Sequence, residues 1–201
     1  MSPTLVKGEG EAGGADNFVR DARPADAADL ARIQVARWAS GYRGLIPDPV
    51  LAEITTQGNE RLCQEAWAAS LAEPPTTRHR VLVAVTAAAD AARPVVGFAS
   101  FGPVTDPGKW PGTEAELYVL CVEPGWHGRG HGSRLLNAAA ATLAEDGFGT
   151  ACTWVLEQDT TARRFLESSG WAPDGARRAL DMGDPIPTIR LHTALTPAID
   201  A

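Results

Sequence analysis

From residue 17 onward the chain alternates between stretches whose apolar residues recur at helical spacing and shorter runs of β-branched and aromatic residues. Asn17–Arg20 reads as a short first strand. Asp26 and Asp29 precede Leu30, Ile33 and Val35, which predicts a capped helix running to about Ser40. Two glycines and two prolines within Gly41–Pro49 break the pattern. Helical spacing then resumes over Val50–Leu71 through Leu51, Ile54, Leu62, Ala66 and Trp67.

Val81–Val85 and Val95–Phe101 predict two antiparallel strands, joined by an Ala-rich linker that ends at Arg93–Pro94. Glu116–Val122 predicts a third strong strand. After a Gly-rich stretch, Ser133–Asp146 puts Leu135, Leu136, Ala139, Ala140 and Leu143 on one helical face, and Gly147 supplies the C-cap. Thr150–Leu156 reads as a strand, Thr160–Ser169 as a short helix ending at Gly170, and Arg177–Met182 and Thr188–Ala194 as closing strands. The order is mixed α/β without an internal repeat.

A chain of 201 residues with 44% hydrophobic content is expected to bury roughly 70% of its unfolded surface in one core. The expected organisation is a disordered tail over 1–17, one domain over 18–195 and a short C-terminal tail over 196–201. A net charge of -7 argues against nucleic acid as a partner, because such affinity comes largely from clustered Lys and Arg. Cys63, Cys121 and Cys152 form no CxxC pair, so they predict neither a disulfide framework nor a thiolate metal site. No apolar run is long enough to span a bilayer, and the N-terminus lacks the pattern of a signal peptide; the expected location is cytoplasmic.

The segment Val122–Ser133, between a strand and a helix, carries Gly128, Gly130 and Gly132. Glycines so spaced let backbone amides converge on one concavity, and the following helix adds the positive end of its dipole. That is a cradle for a diphosphate without a metal, with Arg129 and His131 as candidate charges at its rim and Ser133 at the helix start. A P-loop would need Lys after Gly130, where His131 stands. A dinucleotide fingerprint would need a third glycine where Ser133 stands. His127 and His131 have metal-pair spacing only on a helix, which Gly128-Arg129-Gly130 opposes, so no metal is expected. A glycine turn that holds nothing is the alternative.

This segment resembles the acyl-CoA loop of the GNAT acetyltransferases, with His127 where Gln or Arg is usual. The Asp159–Trp171 region, with Phe165 and Ser169-Gly170-Trp171, is similar to the family's later helix. Trp38 with Tyr42–Pro47 is similar to its substrate side, so the resemblance covers about residues 18–195. It implies a mixed, mostly antiparallel central sheet of six to seven strands flanked by helices, and acetyl-CoA as acyl donor. It further implies that Leu120, Cys121 and Val122 lend backbone groups to the pantetheine arm and that Gly128–Ser133 hold the pyrophosphate. Asp159 stands where the family often has an Asn that contacts pantetheine or substrate, and Leu166 where it often has a Tyr that protonates the leaving thiolate.

An alkyl ammonium cannot attack a thioester, and with an ordinary pKa of about 10.4 its deprotonation at pH 7 costs about 4.6 kcal/mol. Glu116, on one strand with Leu120 and expected on the same face, is the candidate general base, with Glu114 in reserve. Tyr118 or Tyr42 could replace the missing acid, and the amide of Leu120 or Val122 could polarise the carbonyl. The acceptor is a small-molecule or peptide amine, and the assembly is open, a homodimer included. Two alternatives stand beside acetyl transfer: a CoA-binding protein without turnover, and transfer of a longer acyl group.

Overall fold

The computed structural model describes residues 17–86, 94–106 and 109–195. Both expected tails lie outside these residues, apart from Asn17, as does most of the Ala-rich linker. In chain order the elements are β1 (Phe18–Asp21), α1 (Ala27–Gly41), α2 (Asp48–Ile54), α3 (Gln57–Ala72), β2 (Arg80–Val85), β3 (Val95–Pro103), β4 (Glu114–Val122), α4 (His131–Glu145), β5 (Thr150–Leu156), α5 (Thr160–Ser168), β6 (Ala172–Met182) and β7 (Asp184–Ala194). They form one seven-stranded sheet in the order β1-β2-β3-β4-β5-β7-β6.

Every neighbouring pair is antiparallel except β4 and β5, which run parallel. Their ladder is short. Glu114, Ala115 and Glu116 pair with Thr150, Ala151 and Cys152, and beyond that point the two strands splay. At the fork the Thr153 hydroxyl donates to the Leu117 carbonyl at 2.8 Å, a side chain standing in for the next ladder bond.

Each face of the sheet carries its own core. On one side α4 buries Leu135, Leu136, Ala139 and Leu143 against Val96, Ala99, Leu117 and Leu191. Each fully buried Leu there contributes about 1.5–3 kcal/mol of transfer free energy. On the other side Leu30 and Ile33 of α1 pack with Val83, Phe98 and Cys121, and Trp67 of α3 meets Phe98 edge-on at 5.1 Å.

Several elements differ from the sequence expectation for local reasons. The helical stretch Val50–Leu71 is two helices, because Thr56 caps α3 by accepting from the Asn59 N–H at 3.2 Å. Asp26 precedes α1 without capping it; its carboxylate binds the Arg20 guanidinium and the Arg23 N–H instead. Helix α4 begins at His131, two residues before the expected Ser133, because Gly130 at φ 80° makes the left-handed entry. β6 starts at Ala172, well ahead of the expected Arg177.

The change that matters most for the site is a bulge in β4. Val119 faces Ser100 and Leu117 faces Phe101, so Tyr118 has no partner of its own on β3. One extra residue reverses the alternation. Ala115, Leu117, Leu120 and Val122 all pack toward α4, while Val119 and Cys121 pack toward α1.

Candidate active site

The splayed strands leave backbone groups without a ladder. The Glu123 N–H donates to the Val96 carbonyl at 2.9 Å, so at strand period the backbone of Cys121 also points to β3, and that of Leu120 and Val122 points into the gap beside β5. The His127 Nε2–H donates to the Val122 carbonyl at 2.8 Å, which leaves the N–H groups of Leu120 and Val122 and the Leu120 carbonyl facing the opening. This supplies donors and an acceptor for an extended amide-bearing arm on Leu120 and Val122, whereas Cys121 is turned away.

At the end of β4 the chain turns through Pro124–Trp126 into the glycine loop. Gly128 and Gly130 hold φ of 73° and 80°, which L side chains rarely adopt. The first bond of α4 runs from the Arg134 N–H to the Gly130 carbonyl at 3.0 Å, so the amides of His131, Gly132 and Ser133 lack an intrahelical partner. Gly132, by contrast, is helical, and a Cβ there would meet the Phe165 ring only at ordinary contact distance.

Together these elements bound a cleft of about 500 Å³ lined by Leu120, Val122, Trp126–Gly128, Gly130–Ser133 and, from α5, Thr161, Ala162 and Phe165, with Arg37 reaching in from α1. Its polar end, rich in amide donors and at a helix N-terminus, fits a pyrophosphate; its apolar end runs to Leu120. Among the described residues no group of three His, Cys, Asp or Glu is placed to hold a metal ion.

The expected rim charges are arranged otherwise. The Arg129 guanidinium lies over the Trp126 ring at 4.7 Å, outside the cleft lining. His131 is buried at 2% exposure and meets the Trp126 ring edge-on at 5.8 Å. Burial, then the Arg134 and Arg129 cations, holds its imidazole below the ordinary range, so it enters the site neutral.

Asp159 is N-cap of α5, its Oδ1 accepting from the Ala162 N–H at 2.9 Å. Its Oδ2 accepts from Arg37 at 2.7 Å. Both oxygens are thus engaged, and Asp159 positions α5 and Arg37 at the mouth of the cleft.

A second cavity, of about 160 Å³, adjoins the cleft through the shared residues Leu120, Ala162 and Phe165. Trp38 and Tyr42, from the region likened to the substrate side, line it together with Leu117–Cys121, Thr153–Val155 and Leu166. The Arg37 guanidinium stands 5.4 Å from the Tyr42 ring centre, and the Tyr42 hydroxyl has no hydrogen bond among the described residues. Burial raises the Tyr42 phenol, with Arg37 opposing.

Tyr118 lines this cavity too, but its hydroxyl donates to the Pro103 carbonyl and its ring stacks on His79 at 6.0 Å. Burial, then Glu116 and Cys152, pushes its phenol up to about 12. Its single proton is therefore already bound away from the cleft. Glu116 is buried at 6% exposure, and because of the bulge it does not share the face of Leu120. Its Oε2 accepts from the Thr105 hydroxyl at 3.0 Å and the Thr105 N–H at 3.3 Å, and its Oε1 makes no hydrogen bond among the described residues. Glu114 accepts from Lys109 and from the Trp110 N–H, which, in the order backbone then Lys109, hold its carboxyl below the ordinary range.

Sequence reasoning passed over Arg37 and Thr153. Neither has a local signature: one is an Arg on an amphipathic helix, the other a Thr in a strand.

Comparison with known proteins bears on the family and the fold. The model of the acetyltransferase (GNAT) family matches residues 50–171, more than half of the chain. Over 141 residues the chain is 30% identical to the "Uncharacterized N-acetyltransferase YuaI" of Bacillus subtilis (strain 168), covering 70% of this chain and 72% of that protein. In fold it is similar to the PaiA N-acetyltransferase of Thermoplasma acidophilum in complex with coenzyme A, at a TM-score of 0.64 and 16% identity over 89% of this chain and 98% of that one. It is likewise similar to YncA, described as a putative acetyltransferase, of Salmonella typhimurium with its cofactor acetyl-CoA, at 0.65 and 18% identity over 90% and 95%. The chain belongs to the acetyltransferase (GNAT) family.

Proposed function

We propose that the protein moves an acetyl group from acetyl-CoA to a primary amine by direct attack in a ternary complex, within the cytoplasm. The observation that carries this reading is that Leu120, with Ala162 and Phe165, lines both cavities, so the apolar end of the cleft abuts the second one. The amides of the α4 N-terminus and of Gly128–Gly130 hold the pyrophosphate, and the backbone of Leu120 and Val122 pairs with the pantetheine arm. Bound in this way, acetyl-CoA supplies an activated thioester.

The Leu120 N–H donates to the thioester oxygen and favours the charge that develops there. The amine nitrogen forms the new C–N bond as the C–S bond breaks, and the thiolate departs with the electron pair. Glu116 takes the amine proton through water at its Oε1, while Thr105 fixes the other oxygen. Tyr42 takes the place of the acid absent at Leu166, because its hydroxyl is unengaged and Leu166 lines the same cavity. Tyr118 then serves as a wall of the cavity.

The test is release of free thiol on mixing protein, acetyl-CoA and a panel of primary amines, with acetyl-CoA binding measured in parallel by calorimetry. Thiol release that depends on both substrates supports transfer. Tight binding with no release from any amine would leave a CoA-binding protein without turnover.

A further inference from the structure

Gly41 closes α1, yet nothing in its backbone calls for glycine. Its φ is not positive, unlike that of Gly44 or Gly130, so this end of the helix is open to any residue, and Ala would be the better helix former. What excludes a side chain is Arg37, one turn earlier on the same face: a Cβ at position 41 would fall on the Arg37 Nη1 atom. A helical side chain leans toward the N-terminus and covers the turn before it, so a side chain at 41 would shield the space over residue 37. The bare Cα leaves that space open, and the Arg37 side chain runs through it toward the C-terminal end of α1.

There its Nη2 donates to Asp159 Oδ2 at 2.7 Å, and its Cζ stands 5.4 Å from the centre of the Tyr42 ring, within cation–π range. Asp159 is itself held, since its other oxygen caps α5. The backbone of Tyr42 is fixed too: its N–H donates to the Trp38 carbonyl at 3.0 Å and its carbonyl accepts from the Leu45 N–H at 2.9 Å. Three ionisable groups face the Tyr42 phenol, Arg37 from α1, Cys121 from β4 and Asp159 from α5. Burial raises the phenol first of all, and Arg37 is the neighbour that opposes it. Cys121, pushed up to about 12 by burial, stays a neutral thiol.

We infer that Arg37 is a positioning residue for Tyr42, and that Gly41 is glycine because its bare Cα is the seat from which the Arg37 guanidinium reaches both Asp159 and the Tyr42 ring. This inference rests on the reading of Tyr42 as the acid. In that step the phenol proton passes to the thiolate as the C–S bond breaks, and the phenolate left behind regains a proton from water. The seated guanidinium fixes the ring from which the proton leaves and favours the phenolate until it is reprotonated.

The first measurement needs no acceptor. Tyr42 and Tyr118 are the two tyrosines of the chain, so fluorotyrosine incorporated into the Tyr118→Phe protein reports Tyr42 alone by fluorine NMR. Arg37→Met, which removes the guanidinium, and Gly41→Ala, which leaves it no seat, should each raise the ionisation midpoint by about half a pH unit or more, and Arg37→Lys, which keeps a cation, should raise it less. Gly41→Ala decides most, because helix propensity alone would stabilise it and leave Tyr42 untouched. Midpoints unmoved in both Arg37→Met and Gly41→Ala would overturn the inference whatever the turnover. The second measurement is a double-mutant cycle on kcat in the thiol-release assay. Arg37→Met and Gly41→Ala should each slow turnover by about fivefold or more in the wild-type background and by no more than about twofold in the Tyr42→Phe background. Equal slowing in the two backgrounds would overturn the positioning role and leave Tyr42 as the acid. Undiminished kcat in Tyr42→Phe, or no thiol release with any amine, would overturn the acid reading and the inference with it.

Discussion

Arg37 of α1 and Asp159, the N-cap of α5, meet at 2.7 Å with 17% and 7% of their side chains exposed, joining the two faces of the molecule at the mouth of the acyl-CoA cleft. Asp159 does two jobs with its two oxygens. Removing it by Asp159→Ala deletes a cap worth ~1 kcal/mol and leaves Arg37 partly buried without a partner, a loss of ~3 kcal/mol or more in total. Asp159→Asn keeps the cap acceptor and should recover about 1 kcal/mol of that. Urea unfolding checks the order; equal losses for Ala and Asn would show that the cap contributes nothing.

The glycines of the loop predict unequal tolerance. Gly130→Val forces a β-branched residue into φ 80° at the entrance of α4, a strain of ~1–3 kcal/mol, and narrows the approach to the amides, so acetyl-CoA affinity should fall at least tenfold. Gly128 has the same sign of φ but open space around its Cα, and Asn tolerates that region, so Gly128→Asn should retain binding within a few-fold. Calorimetry that found the two variants equally impaired would mean that the left-handed turn at Gly130 has no special part in holding the ligand.

Such a loop was legible in the sequence because its signal is local: three glycines between a strand and an amphipathic helix. Strand β5 was legible for the same reason, over Thr150–Leu156. The face of Glu116 was not, since it depends on a bulge at Tyr118 that only the pairing of β4 with Ser100 and Phe101 reveals. Arg37 was equally hidden, its partner lying 122 residues away in sequence. The start of α4 was misplaced because Gly130 and Gly132 look alike in sequence, yet only Gly130 holds the positive φ that makes the left-handed entry to the helix. Contacts made across the sheet leave no periodic trace.

Glu116→Gln should lower turnover most where the acceptor is protonated. Below the amine's pKa a base has to remove a proton; as pH rises toward about 10.4 the substrate arrives neutral and the defect shrinks. Gln retains an oxygen for Thr105, so folding should be preserved. Thiol-release rates across pH read the difference, and a constant defect at every pH would assign Glu116 a purely structural part.

His131 predicts an acid-side loss of stability. Its folded pKa is depressed, so the unfolded chain binds the proton first; the stability it contributes is complete above about 6.5 and drains away as pH falls below that value. His131→Gln removes the titration. The stability gap between variant and wild type, followed by denaturant melts from pH 7.5 to 5, should therefore move in favour of the variant as pH falls. A gap that stays constant over this window would show that His131 takes up its proton equally in both states.

Tyr42 and Leu166 line one cavity, and the proposed acid role of Tyr42 can be tested by moving the hydroxyl between them. Tyr42→Phe keeps the ring over which Arg37 stands and removes only the proton donor, so kcat should fall ~10²-fold or more while acetyl-CoA affinity holds. Leu166→Tyr then offers a phenol from α5, where the family often has one. The double variant should recover part of the lost rate, since a phenol near 10 can hydrogen-bond a thiolate developing near 8.5. Crowding opposes this: Leu166 is 4% exposed in the core, and extra volume there costs ~1–3 kcal/mol, so thermal melting must accompany the kinetics. A folded double variant that binds acetyl-CoA and regains no activity would place residue 166 away from the sulfur. A Tyr42→Phe variant with undiminished kcat would remove Tyr42 from the chemistry and leave the thiolate to depart unassisted.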